Sequence, residues 1–230
     1  MERSLQPELL DELPANHPLA VGSRRDLRWI NAWMGNARCT AAWLAAAARR
    51  SPPRRIVDLG AGDGTSLLRW LRRMPVLASG VEIVLVDRNA ATDAGVVTEL
   101  RALGFRPRIE RADALTSLRA LPATPGTWVV ANLFLHHFTT GSLSELLDVV
   151  AKQADLCCAC EPRRAWWPLI ASRWLWLLGA NAVTRHDAVV SVRAGFQGEE
   201  LSALWPATGT WQIRERSAGL FSHLFLAQRT

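Results

Sequence analysis

At 230 residues, 49% of them hydrophobic and 21% charged, the chain is long enough for one globular domain with a large core. The formal charge of +6 invites a nucleic-acid reading, but Lys152 is the only lysine. The arginines are scattered apart from pairs such as Arg24-Arg25 and Arg163-Arg164, which argues against a nucleic-acid partner. No run reaches the ~18 uncharged apolar residues of a membrane span, and the polar, acidic start from Met1 to Pro18 lacks a signal-peptide pattern, so a cytoplasmic protein is expected.

Residues 1–20, with Pro7, Pro14 and Pro18, read as an irregular arm with one short helix around Glu8 to Leu13. From Ser23 the spacing of Leu27, Ile30, Trp33 and Met34 predicts a helix stopped by Gly35-Asn36, and an alanine-rich helix follows from Arg38 to Arg49. Residues 1–50 therefore form a helical arm or cap, and 51–230 the main domain. There, strands at Arg55 to Leu59, Val81 to Val86, Arg108 to Arg111, Thr127 to Asn132 and Leu156 to Glu161 alternate with helices. The helices are expected at Ser66 to Arg73, stopped by Pro75, at Ala91 to Leu103 and at Ser142 to Ala154. Short apolar strands alternating with helices predict an α/β fold with a parallel sheet wrapped on both faces. In the fifth strand, alternation puts Cys158 and Cys160 on one face and Cys157 on the other. With Cys39 they read as buried thiols of a reducing compartment, and no metal ligand is assigned among them.

A Trp-rich insert follows at about 163–196: an apolar helical stretch from Trp166 to Val183, then a second piece from Thr184 to Phe196. A last helix is expected at Glu199 to Trp205. Two strand-like runs, Thr210 to Arg216 and Phe221 to Ala227, are joined through Ser217-Ala218-Gly219 as a hairpin.

Ligand-binding features fall at successive strand ends, where open α/β sheets bind their ligands. The stretch Ile56 to Thr65 breaks from a strand into Gly60, Gly62 and Gly64 and then enters a helix whose free N–H groups face the turn. Its G-x-G-x-G spacing differs from the G-x-G-x-x-G of a dinucleotide site, and Asp63 disfavours a pyrophosphate. Asp87 ends the second strand, Asp113 follows the third and Asn132 closes the fourth.

Asp58-Leu-Gly-Ala-Gly-Asp-Gly64 resembles the first motif of class I S-adenosylmethionine-dependent methyltransferases, Val-Leu-Val-Asp87 the second, and Arg-Ala-Asp113-Ala-Leu the third. The resemblance covers roughly residues 50–230. It implies a Rossmann-like seven-stranded sheet with an antiparallel C-terminal hairpin, and S-adenosylmethionine as cofactor. It further implies that Gly60 and Gly62 approach the methionine part, that Asp87 holds the ribose and that Asp113 reads the adenine; Asp58, Arg88, Ala114 and Asn132 are further candidate cofactor contacts, Asn132 at the strand end that faces the reacting end.

Leu-Phe-Leu-His136-His137-Phe138 supplies candidate bases, because methyl transfer to a hydroxyl gains from an imidazole near neutral pKa. His136 is similar in placement to the catalytic histidine of small-molecule O-methyltransferases; His137 is the second candidate, and either can equally be a residue that only lines the pocket. No Asn-Pro-Pro-Tyr follows the fourth strand, which argues against methylation of a base amine. Trp166, Trp167, Trp174 and Trp176 are read as walls for a flat apolar acceptor, as core, or as an interfacial helix contacting a membrane surface. Arg185 and His186 are candidate acceptor contacts. His186 beside Asp187 is discounted as a paired base because adjacent helix residues do not face each other. Arg28 and Asn31 are candidates to close over the cofactor.

The expected activity is O-methylation of a small aromatic or lipophilic phenol, in a layout similar to bacterial secondary-metabolism enzymes. C-methylation of a quinone-type lipid and a non-catalytic cofactor-binding protein are the alternatives.

Overall fold

The computed structural model describes residues 1–14, 16–34, 36–74, 77, 79–89 and 92–230, and of Trp33 and Asn36 the backbone alone. The helix stop expected at Gly35, the stop at Pro75 and the helix start at Ala91 lie outside the described residues.

Seven strands form one sheet: β1 (Arg55–Leu59), β2 (Glu82–Val86), β3 (Arg106–Glu110), β4 (Thr127–Asn132), β5 (Leu156–Pro162), β6 (Trp211–Ala218) and β7 (Ser222–Arg229). Their order is β3-β2-β1-β4-β5-β7-β6, and β7 runs opposite to the other six. The central strands are buried on both faces, which is why they read as mainly apolar runs, with Asp58 in β1 and Glu161 in β5 as buried carboxyls among them. On one face Ile56, Ile83, Trp128, Cys158 and Cys160 pack under α3 (Asn36–Ala48), α4 (Thr65–Leu71) and α5 (Ala94–Ala102). On the other, Val57, Val84, Val129 and Cys157 pack under α6 (Ala114–Ala120) and α7 (Thr140–Gln153). The thiols thus divide between the faces as alternation predicts, and burial pushes Cys157 up to about 12, so it stays protonated.

Several boundaries differ from the sequence reading. Helix α2 (Pro18–Trp33) starts before Ser23, because Pro18 supplies a pre-set first helical residue and the His17 ring accepts the Leu19 N–H at 3.3 Å. Helix α6 was not anticipated; its N-cap is Asp113, which the sequence reading had assigned to a ligand. Strand β3 begins at Arg106 because it is the sheet edge and carries polar residues that hide its pattern.

The Trp-rich stretch is three pieces. Helix α8 (Trp166–Arg173) and a 3-10 turn (Leu175–Leu178) end at left-handed Gly179, and α9 (Ala182–Ala194) follows. The remaining helices are α1 (Leu9–Glu12) and α10 (Glu200–Leu204). Among the described residues, no helix is long and apolar enough to cross a membrane.

The parallel register pairs Leu59 with Val86 and with Ala131, and Val86 with Glu110. That register brings Gly60, Asp87, Asp113 and Asn132, all just beyond or at the strand ends, to one edge of the sheet.

Candidate functional site

The turn after β1 is a left-handed glycine cradle, with φ of 67° at Gly60, 55° at Gly62 and 80° at Gly64. Around Gly62 an added Cβ would meet nothing within 4 Å, so its backbone stands open to a ligand. Asp87 fixes this turn: one carboxylate oxygen accepts the Gly62 N–H at 2.9 Å and the other the Asn89 N–H at 2.7 Å. Asp63 accepts from the Thr65 N–H (3.0 Å) and hydroxyl (2.6 Å), and Arg28 of α2 reaches it at 3.2 Å. The N-terminal cap is thereby tied to the cradle.

Gly60 does different work from Gly62. An added Cβ there would lie 2.2 Å from Phe134 Cδ2, so Phe134 lies directly over this glycine. Gly60→Ala is expected to cost about 2 kcal/mol or more, from the left-handed backbone and the clash together, and to displace Phe134. A thermal melt and a cofactor titration of the variant check both effects.

Asp58 is 3% exposed; burial first, and the nearby Asp87 carboxylate second, push its pKa up to about 8. Asp113 caps α6 through the Leu115 and Thr116 N–H groups at 3.0 and 3.2 Å, and its other oxygen is ion-paired with Arg88. The Arg88 bond holds the Asp113 carboxyl below its ordinary value. Ala114 is buried as the first residue of α6, and Asn132 donates to the Ser66 hydroxyl at 3.2 Å. The adenine contact expected of Asp113 therefore competes with an ion pair and a helix cap.

The second group surrounds His136. Leu133, at φ 53°, is the only non-glycine with positive φ among the described residues, and its N–H is held by Cys160 O at 2.8 Å. The next three N–H groups, of Phe134, Leu135 and His136, all donate to the Glu161 carboxylate at 3.0, 2.9 and 3.3 Å. Glu161, 0% exposed at the end of β5, also takes the His136 Nδ1 at 2.8 Å. The other ring nitrogen, Nε2, lies 3.3 Å from Glu8 Oε1, and Ser191 donates to the same Glu8 oxygen.

Burial pushes His136 down, but the two carboxylates outweigh it and raise its pKa to about 9. Burial likewise pushes Glu8 up, and the bonds from His136 and Ser191 bring it net below its ordinary value. In this arrangement His136 is an imidazolium held between two carboxylates, not the near-neutral base expected from the sequence.

His137 lies beside His136, ring centroids 4.2 Å apart, with its Nδ1 3.7 Å from Asp11; the cavity described next is lined by His136 and not by His137. Glu8, His136 and His137 do present potential metal-ligand atoms within 4.8 Å of one another, a grouping the sequence reading did not contain.

A cavity of about 380 Å³ opens beside His136. Its walls are almost wholly apolar: Leu27 and Ile30 from α2 and Met34 at its C-cap, Leu133 after β4, Ala171 from α8 and Val192 from α9. Asn31, His136, Ser172 and Ser191 are its polar members. Of the four tryptophans expected as walls, Trp174 alone lines it. Trp167 is 58% exposed and stacked on Trp166, so neither an acceptor contact nor a core role holds for it.

Arg185 and His186 also lie off the cavity, because α9 turns Ala188, Ser191 and Val192 towards it. His186 and Asp187 do meet, Nδ1 to Oδ1 at 2.9 Å, contrary to the expectation for adjacent helix residues. Asp187 is occupied structurally, accepting the Leu9 and Leu10 N–H groups at 2.8 and 2.9 Å.

Sequence reasoning missed Glu161 and Glu8. A carboxylate ending an otherwise apolar buried strand was the available signal for Glu161. Glu8 had none, since 128 residues separate it from His136. The arm that carries Glu8 is further pinned by Arg3, which donates to Ala194 O at 2.7 Å and Phe138 O at 2.9 Å.

No protein-family model and no curated protein matches the sequence. Solved structures do. The plantazolicin methyltransferase BamL matches with TM-score 0.62 at 11% identity, over 94% of this chain and 93% of that one. The mitomycin 7-O-methyltransferase MmcR matches with TM-score 0.60 at 19% identity, over 96% of this chain and 60% of that one. Magnesium protoporphyrin IX methyltransferase from Synechocystis PCC 6803, with S-adenosylmethionine bound, matches with TM-score 0.54 at 15% identity, over 99% of this chain and 86% of that one. The chain has the class I S-adenosylmethionine-dependent methyltransferase fold.

Proposed function

We propose that this protein transfers a methyl group from S-adenosylmethionine to the hydroxyl of a small lipophilic aromatic acceptor. The observation that carries the reading is His136, set between Glu161 and Glu8 at the wall of an apolar cavity, with Phe134 of the same turn lying on the glycine cradle.

The cradle suits the cofactor. Gly62 is open to a close approach, Asp87 keeps lone pairs beside it for hydroxyl groups, and Asp58 is a buried carboxyl that a cation would ionise. Bound there, the cofactor supplies an already activated methyl group, so the protein's work is to position the acceptor and manage one proton. The apolar walls hold the acceptor's ring and exclude water. On this reading His136, once it has given up its own proton, takes the hydroxyl proton, with Glu161 fixing its ring through Nδ1.

Titration calorimetry tests the cofactor half. Below pH 8, Asp58 is protonated in the free protein, and a cationic ligand beside it favours the carboxylate. Binding of S-adenosylmethionine is therefore expected to release about one proton below that pH and none above it. Buffers of differing ionisation heat report the proton, and Asp58→Asn should abolish its release. Absence of binding at millimolar ligand would sink the methyltransferase reading.

A further inference from the structure

Along α8 and its C-cap, Trp166, Trp167, Ile170, Arg173 and Trp174 recur at the spacing of a single helical stripe, and all are exposed. Pro168, Ala171 and Ser172, on the other side, line the cavity. The stripe runs on through Trp176, Leu177 and Leu178, which are 54%, 58% and 57% exposed. Trp29 of α2, half exposed, meets the same run, since Trp29, Trp174, Leu177 and Leu178 all contribute to the cavity wall. The cavity mouth therefore opens within the exposed aromatic face. An apolar patch of this extent on one chain marks a contact surface.

The charges around it decide what the surface contacts. Arg25 shares a shallow hollow with Trp29 and Leu178 and has a side chain 78% exposed, and Arg173 lies within the stripe itself. The acids on this side are turned inward. Asp26, its side chain 13% exposed, accepts the Asn181 N–H at 2.9 Å and the Thr184 hydroxyl at 3.1 Å and lies 3.9 Å from the Arg25 guanidinium, and Asp63 is engaged by Thr65 and Arg28. The outward charge is thus positive. A second copy docked symmetrically would set the same patch against itself and bring like charges together. Tryptophan with arginine, on short helical pieces that do not span a bilayer, is the composition of an interfacial segment.

We propose that this face docks on an anionic lipid surface and that the cavity draws its acceptor directly from the bilayer. The acceptor class is then a membrane-resident phenolic lipid, its ring reaching His136 and its chain still in the acyl layer. The docking stands on its own, whereas the acceptor route rests on the methyl-transfer reading.

Co-sedimentation with vesicles, without cofactor or acceptor, tests the docking. The protein should pellet with phosphatidylcholine vesicles containing phosphatidylglycerol, and less with phosphatidylcholine alone. Trp166→Ser with Trp176→Ser, exposed residues outside the cavity wall, should weaken binding by ~10-fold or more. Arg25→Gln should weaken it about fivefold, on anionic vesicles only. Unchanged far-ultraviolet circular dichroism and cofactor affinity show that the variants are folded. Wild-type protein left in the supernatant, or the double variant pelleting like wild type, would overturn the docking. So would a dimer in lipid-free buffer that the double variant splits, since the face would then belong to a second copy. Vesicle binding without cofactor binding would leave docking intact and remove the methyltransferase reading, so the two failures are separable.

Discussion

Glu161→Ala is expected to lose about 3–5 kcal/mol of folding stability, measured as a fall in the urea midpoint. One fully buried carboxylate accepts three successive main-chain N–H groups and the His136 ring. Its removal strands the buried Leu135 and His136 N–H groups and leaves a buried imidazolium with Glu8 as its one carboxylate partner. The loss is a large share of the roughly 5–15 kcal/mol that holds a domain together. Glu161→Gln separates charge from packing. Its amide oxygen can still serve Phe134 and Leu135, but the carboxylate that charges His136 is gone. That variant should fold with a smaller loss and a His136 pKa well below about 9, followed by imidazole NMR. An unshifted His136 would mean that Glu161 acts through packing alone.

The same pair gives stability a pH dependence of defined sign. The His136 pKa is raised from 6.5 to about 9 in the folded chain, so the folded state holds a proton that the unfolded state releases between those values. The stabilisation, about 3 kcal/mol, is complete below pH 6.5 and is lost as pH rises through 9. Asp58 acts in the same direction at lower pH, since its pKa, raised from 3.8 to about 8, gives a stabilisation that is complete below 3.8 and lost by about 8. The unliganded protein should therefore lose stability in mild alkali.

Local pattern predicted best where one physical effect dominates. Strands β1 and β4 fall at Arg55–Leu59 and Thr127–Asn132 as read, because strands buried on both faces are mainly apolar. The glycine cradle was legible because left-handed turns need glycine. Where one residue type serves two purposes, the reading went astray. An aspartate after a strand looks alike as ligand or helix cap, and giving Asp113 to a ligand concealed α6. Tryptophan is equally at home in a core, a pocket wall or an interface, and its exposure is decided by which side of α8 meets α9. The partner of His136 was illegible for a different reason. Glu8 reaches it from the N-terminal arm, and no short-range pattern encodes a contact made by tertiary packing.

The pH profile of turnover is where that hidden contact has its largest effect. A protonated imidazole cannot accept a proton, so in the proposed reaction only the neutral fraction of His136 would act as base. With the pKa raised to about 9, kcat/KM should climb by about tenfold per pH unit and level off only near 9, not near 6.5. The high pKa is an advantage once the proton is lost. It brings the base close to a phenol, itself near ~10, so the proton moves between nearly matched groups.

Phenol ionisation alone would also make the rate rise in alkali, and Glu8→Gln tells the two apart. Removing one of the two carboxylates should bring the inflection down by about one unit if His136 sets it, and leave it in place if the acceptor does. His136→Asn should lower turnover by ~10²–10⁴-fold and erase the inflection. Nonylphenol in mixed micelles serves as acceptor, with S-adenosylhomocysteine formation as the readout. Imidazole NMR of the free protein measures the His136 titration independently of any acceptor. A His136 signal titrating at 6.5 would overturn the carboxylate clamp and shift the expected plateau down to that pH, whereas full turnover in His136→Asn would move the base elsewhere. Glu8 is then the next carboxylate at the same position, since its Oε1 stands 3.3 Å from where the ring nitrogen had been.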